Sequence, residues 1–194
     1  VIKIFFLLMA CSIDPPEDIK EKEIPTPVEY ILEDSSTPTF QFPTARTPNR
    51  KGKWSTPPDI IICKELMFNR ERVFESVKFW ESLGHVFGEI YDIRCDFLEM
   101  KAGAIFLVNP GAGYDFKHLS NTITTYAVFK DGHREIVAAQ INMTFNAKST
   151  KRILEHEIGH ALGYQHISRR GHIMHPRIEM GGNGSDGLRV NSDI

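Results

Sequence analysis

His156-Glu157-Ile158-Gly159-His160-Ala161-Leu162-Gly163-Tyr164-Gln165-His166, followed eight residues later by Met174, is the stretch on which the reading of this chain turns. On a helix His156 and His160 stand at i and i+4, so both rings leave one face and can reach the same ion. Glu157 leaves the helix beside them, close to a metal yet free to act as a base. Gly163 is placed to end the helix, because glycine takes the left-handed conformation cheaply. The chain then turns back, and His166 can complete a three-histidine set. Three protein ligands leave a fourth position for water, which marks a catalytic rather than a structural zinc site. A bare H-E-x-x-H also turns up in unrelated amphipathic helices with solvated histidines, whereas Gly163, His166 and Met174 are additional independent matches.

These residues resemble the metzincin metalloproteases and, more narrowly, the matrixins. The match to H-E-x-G-H-x-L-G-x-x-H runs through His156, Glu157, Gly159, His160, Leu162, Gly163 and His166, and Met174-His175-Pro176 is similar to the family's Met-turn. The resemblance implies a zinc endopeptidase with Zn2+ on His156, His160 and His166. It makes Glu157 the general base, packs Met174 beneath the metal and lines the pocket after the cut with Pro176. It also implies an α+β fold: a mixed, mostly parallel sheet with helices, an active-site helix and a Met-turn. Substrate would lie extended against the edge strand, here Thr122 to Lys130. One departure is Ile167, which stands directly after the third histidine where matrixins usually carry Ser or Thr. Neither Cys63 nor Cys95 sits in the P-R-C-G motif by which matrix metalloproteases stay latent. Matrixins often bind a second zinc and Ca2+; the His-x-Asp pattern for that zinc is missing between residues 100 and 145. Asp115 and Asp131 could contribute to a calcium site, although turn formation explains them equally.

The chain has 194 residues, room for one domain with appendages, and its 23 basic and 25 acidic residues nearly cancel. No basic and aromatic residues interleave, so no nucleic-acid surface is expected. A peptide or protein substrate is the expected partner of a monomer. Residues 1–10 differ from the rest: Lys3 precedes the apolar run Ile4 to Met9, and Ala10-Cys11 follows. That reads as a signal peptide, and it resembles the bacterial lipobox, in which the cysteine is lipidated. The implied location is the cell envelope, with the chain exported and held to a membrane through Cys11; a plain cleaved signal is the alternative. Cys63 and Cys95 suit either a disulfide or two buried thiols.

Nine of the eleven prolines precede residue 59, and residues 12–53 lack a periodic apolar pattern. Residues 11–53 are therefore expected to be a flexible tether, dispensable for chemistry, with a pro-segment across the cleft as the minor alternative. The catalytic domain is assigned to 54–194. Ile60 to Cys63 reads as a buried strand, and Asn69 caps a helix with Val73, Val77 and Trp80 on one face, ending near Gly84. Further strands are expected at Phe87–Ile93, Ala104–Val108, Ile123–Lys130 and Glu135–Phe145, with a hairpin at Asp131-Gly132. Ser149 or Thr150 would cap the histidine-bearing helix, Gly111-Ala112-Gly113 marks a tight turn, and Leu188–Ile194 looks like the start of a closing helix. His85, His118, His133, His172 and His175 are expected at the surface or in turns. The alternative function is a non-catalytic envelope lipoprotein that uses the fold to bind a partner; retention of every chemically required group argues against it.

Overall fold

Ile60-Ile61-Ile62-Cys63 and Ala104-Ile105-Phe106-Leu107 are near-continuous apolar runs, the pattern of strands covered on both faces. In the computed structural model they lie side by side, all nearly devoid of exposed surface. The structure describes residues 27–35, 48–66, 68–95, 102–111, 114 and 118–190. In chain order its elements are β1 (Glu29–Asp34), β2 (Lys53–Trp54), β3 (Asp59–Cys63), α1 (Arg70–Glu81), β4 (Ile90–Ile93), β5 (Ala104–Val108), β6 (Ser120–Val128), β7 (Arg134–Met143) and α2 (Ile153–Ala161). The sheet runs β1-β6-β7-β5-β3-β4, with β2 paired to the start of β7. β6 is antiparallel to both β1 and β7, and every other pairing is parallel. This is the mixed, mostly parallel α+β arrangement expected.

Both helices cover one face of the sheet. The Asn69 side chain accepts the Glu71 amide at 2.8 Å and caps α1. Val73, Val77 and Trp80 of α1 then join Ile60, Ile62, Ile105 and Leu107 of the sheet and Leu154 and Ile158 of α2 in the main core. On the opposite face Ile61, Ala104 and Phe106 form a smaller cluster beside Cys95. Cys63 and Cys95 are disulfide-bonded, with Cα atoms 5.3 Å apart across 32 residues of chain. Closing a loop of that size stabilises by about 3–4 kcal/mol on a chain-entropy account.

Several expectations change. The hairpin at Asp131-Gly132 forms as read, Phe129 N–H donating to His133 O and Gly132 adopting φ 82°. Its first strand, however, is not the sheet edge: β1, drawn from the expected tether, pairs along β6 from Asp34↔Ile123 to Glu29↔Val128. Residues 48–53 are likewise docked onto the domain rather than tethering it, through Lys51 N–H to Gly163 O and Gln165 N–H to Asn49 O. Residues 11–26, with Cys11, and 36–47 lie outside the described residues, as do Asp115, Ala112, Gly113 and 191–194. The strand expected from Phe87 begins only at Ile90. Ser149 and Thr150 do not cap α2, because both hydroxyls bond back to Asn146 O; Arg152, at φ 65°, precedes the helix instead.

His85, expected at the surface, is buried. Trp80 stacks on Tyr164 at 5.7 Å between centroids, and His85 stands edge-on to both rings. His85 Nε2 and Tyr164 Oη both reach Leu188 O, at 3.0 and 3.1 Å, which ties the end of the described chain to α1 and α2. Burial pushes the His85 imidazole down to about 4. The unfolded chain takes up this proton near pH 6.5. Above that pH neither state binds it; between 6.5 and 4 only the unfolded state does, so stability falls as pH drops through that window. The loss from this group alone is about 3 kcal/mol. Denaturant unfolding at about pH 7.5 and about pH 4.5 should show a smaller acid loss in His85→Gln than in the wild type. Equal losses would assign the acid sensitivity to other groups.

Candidate metal centre

The last turn of α2 sets the geometry. Gly163 N–H donates to His160 O at 2.8 Å and Tyr164 N–H to Gly159 O at 3.0 Å, with Gly163 at φ 92°. This double bond pattern is a Schellman turn, which reverses the chain directly after the helix. The reversal carries the Tyr164 carbonyl beneath His160, whose Nδ1 donates to it at 2.8 Å. It also returns His166 to the face shared by His156 and His160. The remaining carbonyls at the helix end find side chains: Trp54 Nε1 donates to Ala161 O at 2.8 Å and Arg50 Nε to Leu162 O at 2.9 Å.

The three Nε2 atoms converge to within 3.0, 3.1 and 3.2 Å of one another. Tetrahedral zinc at about 2.0–2.1 Å from each nitrogen requires separations of about 3.3 Å, so the triad fits that ion. His156 Nδ1 donates to Ile173 O at 2.8 Å, as His160 Nδ1 does to Tyr164 O. Each bond fixes the tautomer and leaves the Nε2 lone pair facing the centre. Burial, with the neighbouring His156 and His175 adding to it, pushes His166 down to about 3. Burial and its two histidine neighbours hold His160 well below the ordinary imidazole range. Both rings are neutral at pH 7 and able to ligate. Among the described residues the other cluster with metal-ligand spacing is Cys63, Glu65 and Cys95, whose sulfurs are already joined. Asp131 is engaged by the His133 amide in the hairpin turn, so the calcium site proposed for it gains no support.

Met174 is fully buried beneath α2. A Cβ at Gly159 would stand 2.8 Å from Trp80 Cζ2 and 3.0 Å from Met174 Cε, so only glycine lets the three meet. His172, expected in a turn, is buried and organises this loop: its Nδ1 accepts the Met174 amide at 3.0 Å and its Nε2 reaches Asp186 O at 3.1 Å. Ile167, the departure from the family pattern, is a core residue, and its amide donates to Met174 O at 3.0 Å. His175 is buried next to Met174, and Pro176 is exposed beyond it. His118 and His133 are exposed, as expected.

Glu157 is buried beside the triad, where Ser120 Oγ donates to its Oε1 and Thr122 Oγ1 to its Oε2, each at 2.6 Å. Those two hydroxyls carry no local signal in the sequence, since they lie 37 and 35 residues from Glu157 and meet it only because β6 runs beside α2. The same holds for Glu155, a fully buried carboxylate gripped by both Arg72 nitrogens at 2.9 and 2.7 Å and by Arg152 at 3.1 Å. That grip joins α1 to the first turn of α2.

A helix-borne histidine pair, a third imidazole beyond a Schellman turn and a methionine packed underneath define a centre of the metzincin class. Within that class the family model of the matrixins, the M10 peptidases, matches residues 67–193, and the chain belongs to the matrixin family. Among solved structures it is similar to high choriolytic enzyme 1, a hatching-enzyme zinc protease from the medaka fish Oryzias latipes. That match has 17% identity and a TM-score of 0.30, and covers 61% of this chain and 55% of the other. No curated protein sequence matches.

Gly159→Ala tests the packing under the centre. Overfilling of this kind costs about 1–3 kcal/mol, and here it also displaces Met174, so both the unfolding free energy and the zinc content should fall. Unchanged stability together with unchanged zinc content would mean that the Met174 loop relaxes freely.

Proposed function

We propose that this matrixin is a zinc-dependent endopeptidase in which His156, His160 and His166 hold the metal and Glu157 is the general base. The observation that carries the reading is the convergence of three Nε2 atoms within 3.2 Å, with a buried carboxylate beside them. Zinc bound there supplies Lewis acidity towards the scissile carbonyl and acidifies a water. Glu157 takes the proton of the attacking water and returns it to the departing amine. For that its carboxylate exchanges one hydroxyl partner for water. Ser120 is partly exposed and can yield its place, while buried Thr122 keeps the other oxygen oriented. Water attacks directly, so no acyl-enzyme forms. Exposed Pro176 lines the subsite for the residue after the cut, and the substrate is an extended peptide.

Glu157→Gln should keep its zinc while peptide cleavage falls by about 10²–10⁴-fold, and His166→Ala should lose zinc as well as activity. Near-normal turnover in the first or full zinc occupancy in the second would remove the assignment; zinc analysis and a quenched peptide library report both.

The proposed setting is the bacterial cell envelope, with Cys11 lipidated. Support comes from the apolar run before Ala10-Cys11 and from the Cys63–Cys95 disulfide, since such bonds persist in oxidising compartments. Wild-type protein should enter the detergent phase on partition and Cys11→Ser should not; identical partition of the two would reduce residues 1–10 to an ordinary signal.

A further inference from the structure

β6 carries Thr122, whose hydroxyl touches Glu157, and it is the strand on which an extended peptide would have to pair to reach that carboxylate. That side of β6 is already taken. All six residues of β1 pair with it, and the contact continues through Ser35, whose amide donates to Thr122 O and whose Oγ accepts the Thr122 amide, both at 2.8 Å. Each backbone group supplies one donor or acceptor, so β1 and a second peptide cannot pair there together. A peptide added outside β1 would lie about 5 Å farther from Glu157, one strand spacing, too far for attack.

β1 is held unlike a core strand. Tyr30 and Leu32 remain 64% and 66% exposed. Beyond the backbone, its grip comes from Asn121 Nδ2 to Asp34 Oδ1 at 2.8 Å and from Glu33, which sits between Lys51 at 2.5 Å and Arg134 at 3.0 Å. Both cations are themselves held near the site, Lys51 by its amide on Gly163 O and Arg134 by its place at the start of β7.

We propose that β1 is a built-in pseudosubstrate: it occupies the peptide-binding edge of β6 and keeps the enzyme latent, and Glu33 marks a cationic subsite, Lys51 with Arg134, that selects an acidic side chain in true substrates. This rests on the peptidase reading above. Because it belongs to the same chain, β1 competes at an effective concentration on the order of millimolar, so weakly bound peptides are excluded until it is displaced or cut.

The test uses the full-length, zinc-loaded chain. With Ser35 donating to Thr122, the alternation of an antiparallel ladder turns the Ile31 amide towards β6 as well. Ile31→Pro removes that donor and Glu33→Arg reverses the charge facing Lys51 and Arg134. Each should raise cleavage of a quenched peptide by about tenfold or more at unchanged zinc content. Leu32→Cys combined with Thr125→Cys, which are cross-strand partners, should be inactive when oxidised and regain activity under mild reductant, with the wild type treated identically as control. A labelled peptide of residues 27–35 should bind Ile31→Pro, bind the wild type poorly, and lose affinity when it carries Glu33→Lys.

Equal peptide binding by wild type and Ile31→Pro, or none by either, overturns the occupancy. So does a wild-type cleavage rate equal to that of the released variants. An Ile31→Pro chain that fails to fold makes β1 a structural strand and also overturns it. Equal affinity of the two peptides removes the acidic subsite. Peptide binding restricted to the released variant, with no cleavage by any variant, leaves the occupancy standing and sinks the peptidase reading instead.

Discussion

Where α2 crosses the Met174 loop and the Trp80 indole there is room for a hydrogen atom and no side chain, and Gly159 supplies it. That close approach brings the Ile173 carbonyl to His156 Nδ1 and sets the ring that carries the first Nε2. It also places the Met174 carbonyl where the Ile167 amide can use it, which fixes the loop bearing His166. Two of the three imidazoles thus take their orientation from one helix–loop contact. The third, His160, takes it from the Schellman turn at Gly163.

A helix buried on every side would ordinarily be apolar, yet α2 carries Glu155, His156, Glu157 and His160, each less than a tenth exposed. Burying such groups is costly unless each has partners. Here the partners come from four directions: the arginines of α1 and the α2 start for Glu155, the β6 hydroxyls for Glu157, and loop carbonyls for the histidines. Apart from the three Nε2 atoms that face one another, no buried side-chain nitrogen or oxygen among the described residues is left without a hydrogen bond. The polar groups therefore lock α2 against α1, the sheet and the Met174 loop at once. A rigid frame of this kind suits chemistry in which a proton must pass between fixed positions.

The sheet has a second role besides supplying hydroxyls. β6 lies between the helix that carries Glu157 and the strand β1, so one strand both orients Glu157 and meets an extended chain along its far side. The lysine and arginine that clasp Glu33 sit on the segment capping α2 and on β7. Recognition of a chain along β6 and the geometry of α2 are consequently built on the same few residues.

The sequence by itself determined the placing of the three histidines, Glu157, the helix stop and the methionine, because all of them depend on short-range spacing: i and i+4 on a helix, a glycine at its end, a fixed loop length beyond. It also set the alternating and apolar runs of the central strands and the hairpin at Asp131-Gly132. Only the tertiary structure decided what depends on residues distant in sequence. Ser120 and Thr122 reach Glu157 through strand placement, Arg72 reaches Glu155 through helix packing, and Cys63 finds Cys95 across β3 and β4. Residues 29–34 have an exposed, weakly patterned face and read as a tether, since pairing with β6 is a matter of backbone groups that every residue carries alike. Side-chain periodicity is written along the chain; which backbone edge a segment finds is settled only when the rest of the sheet is in place.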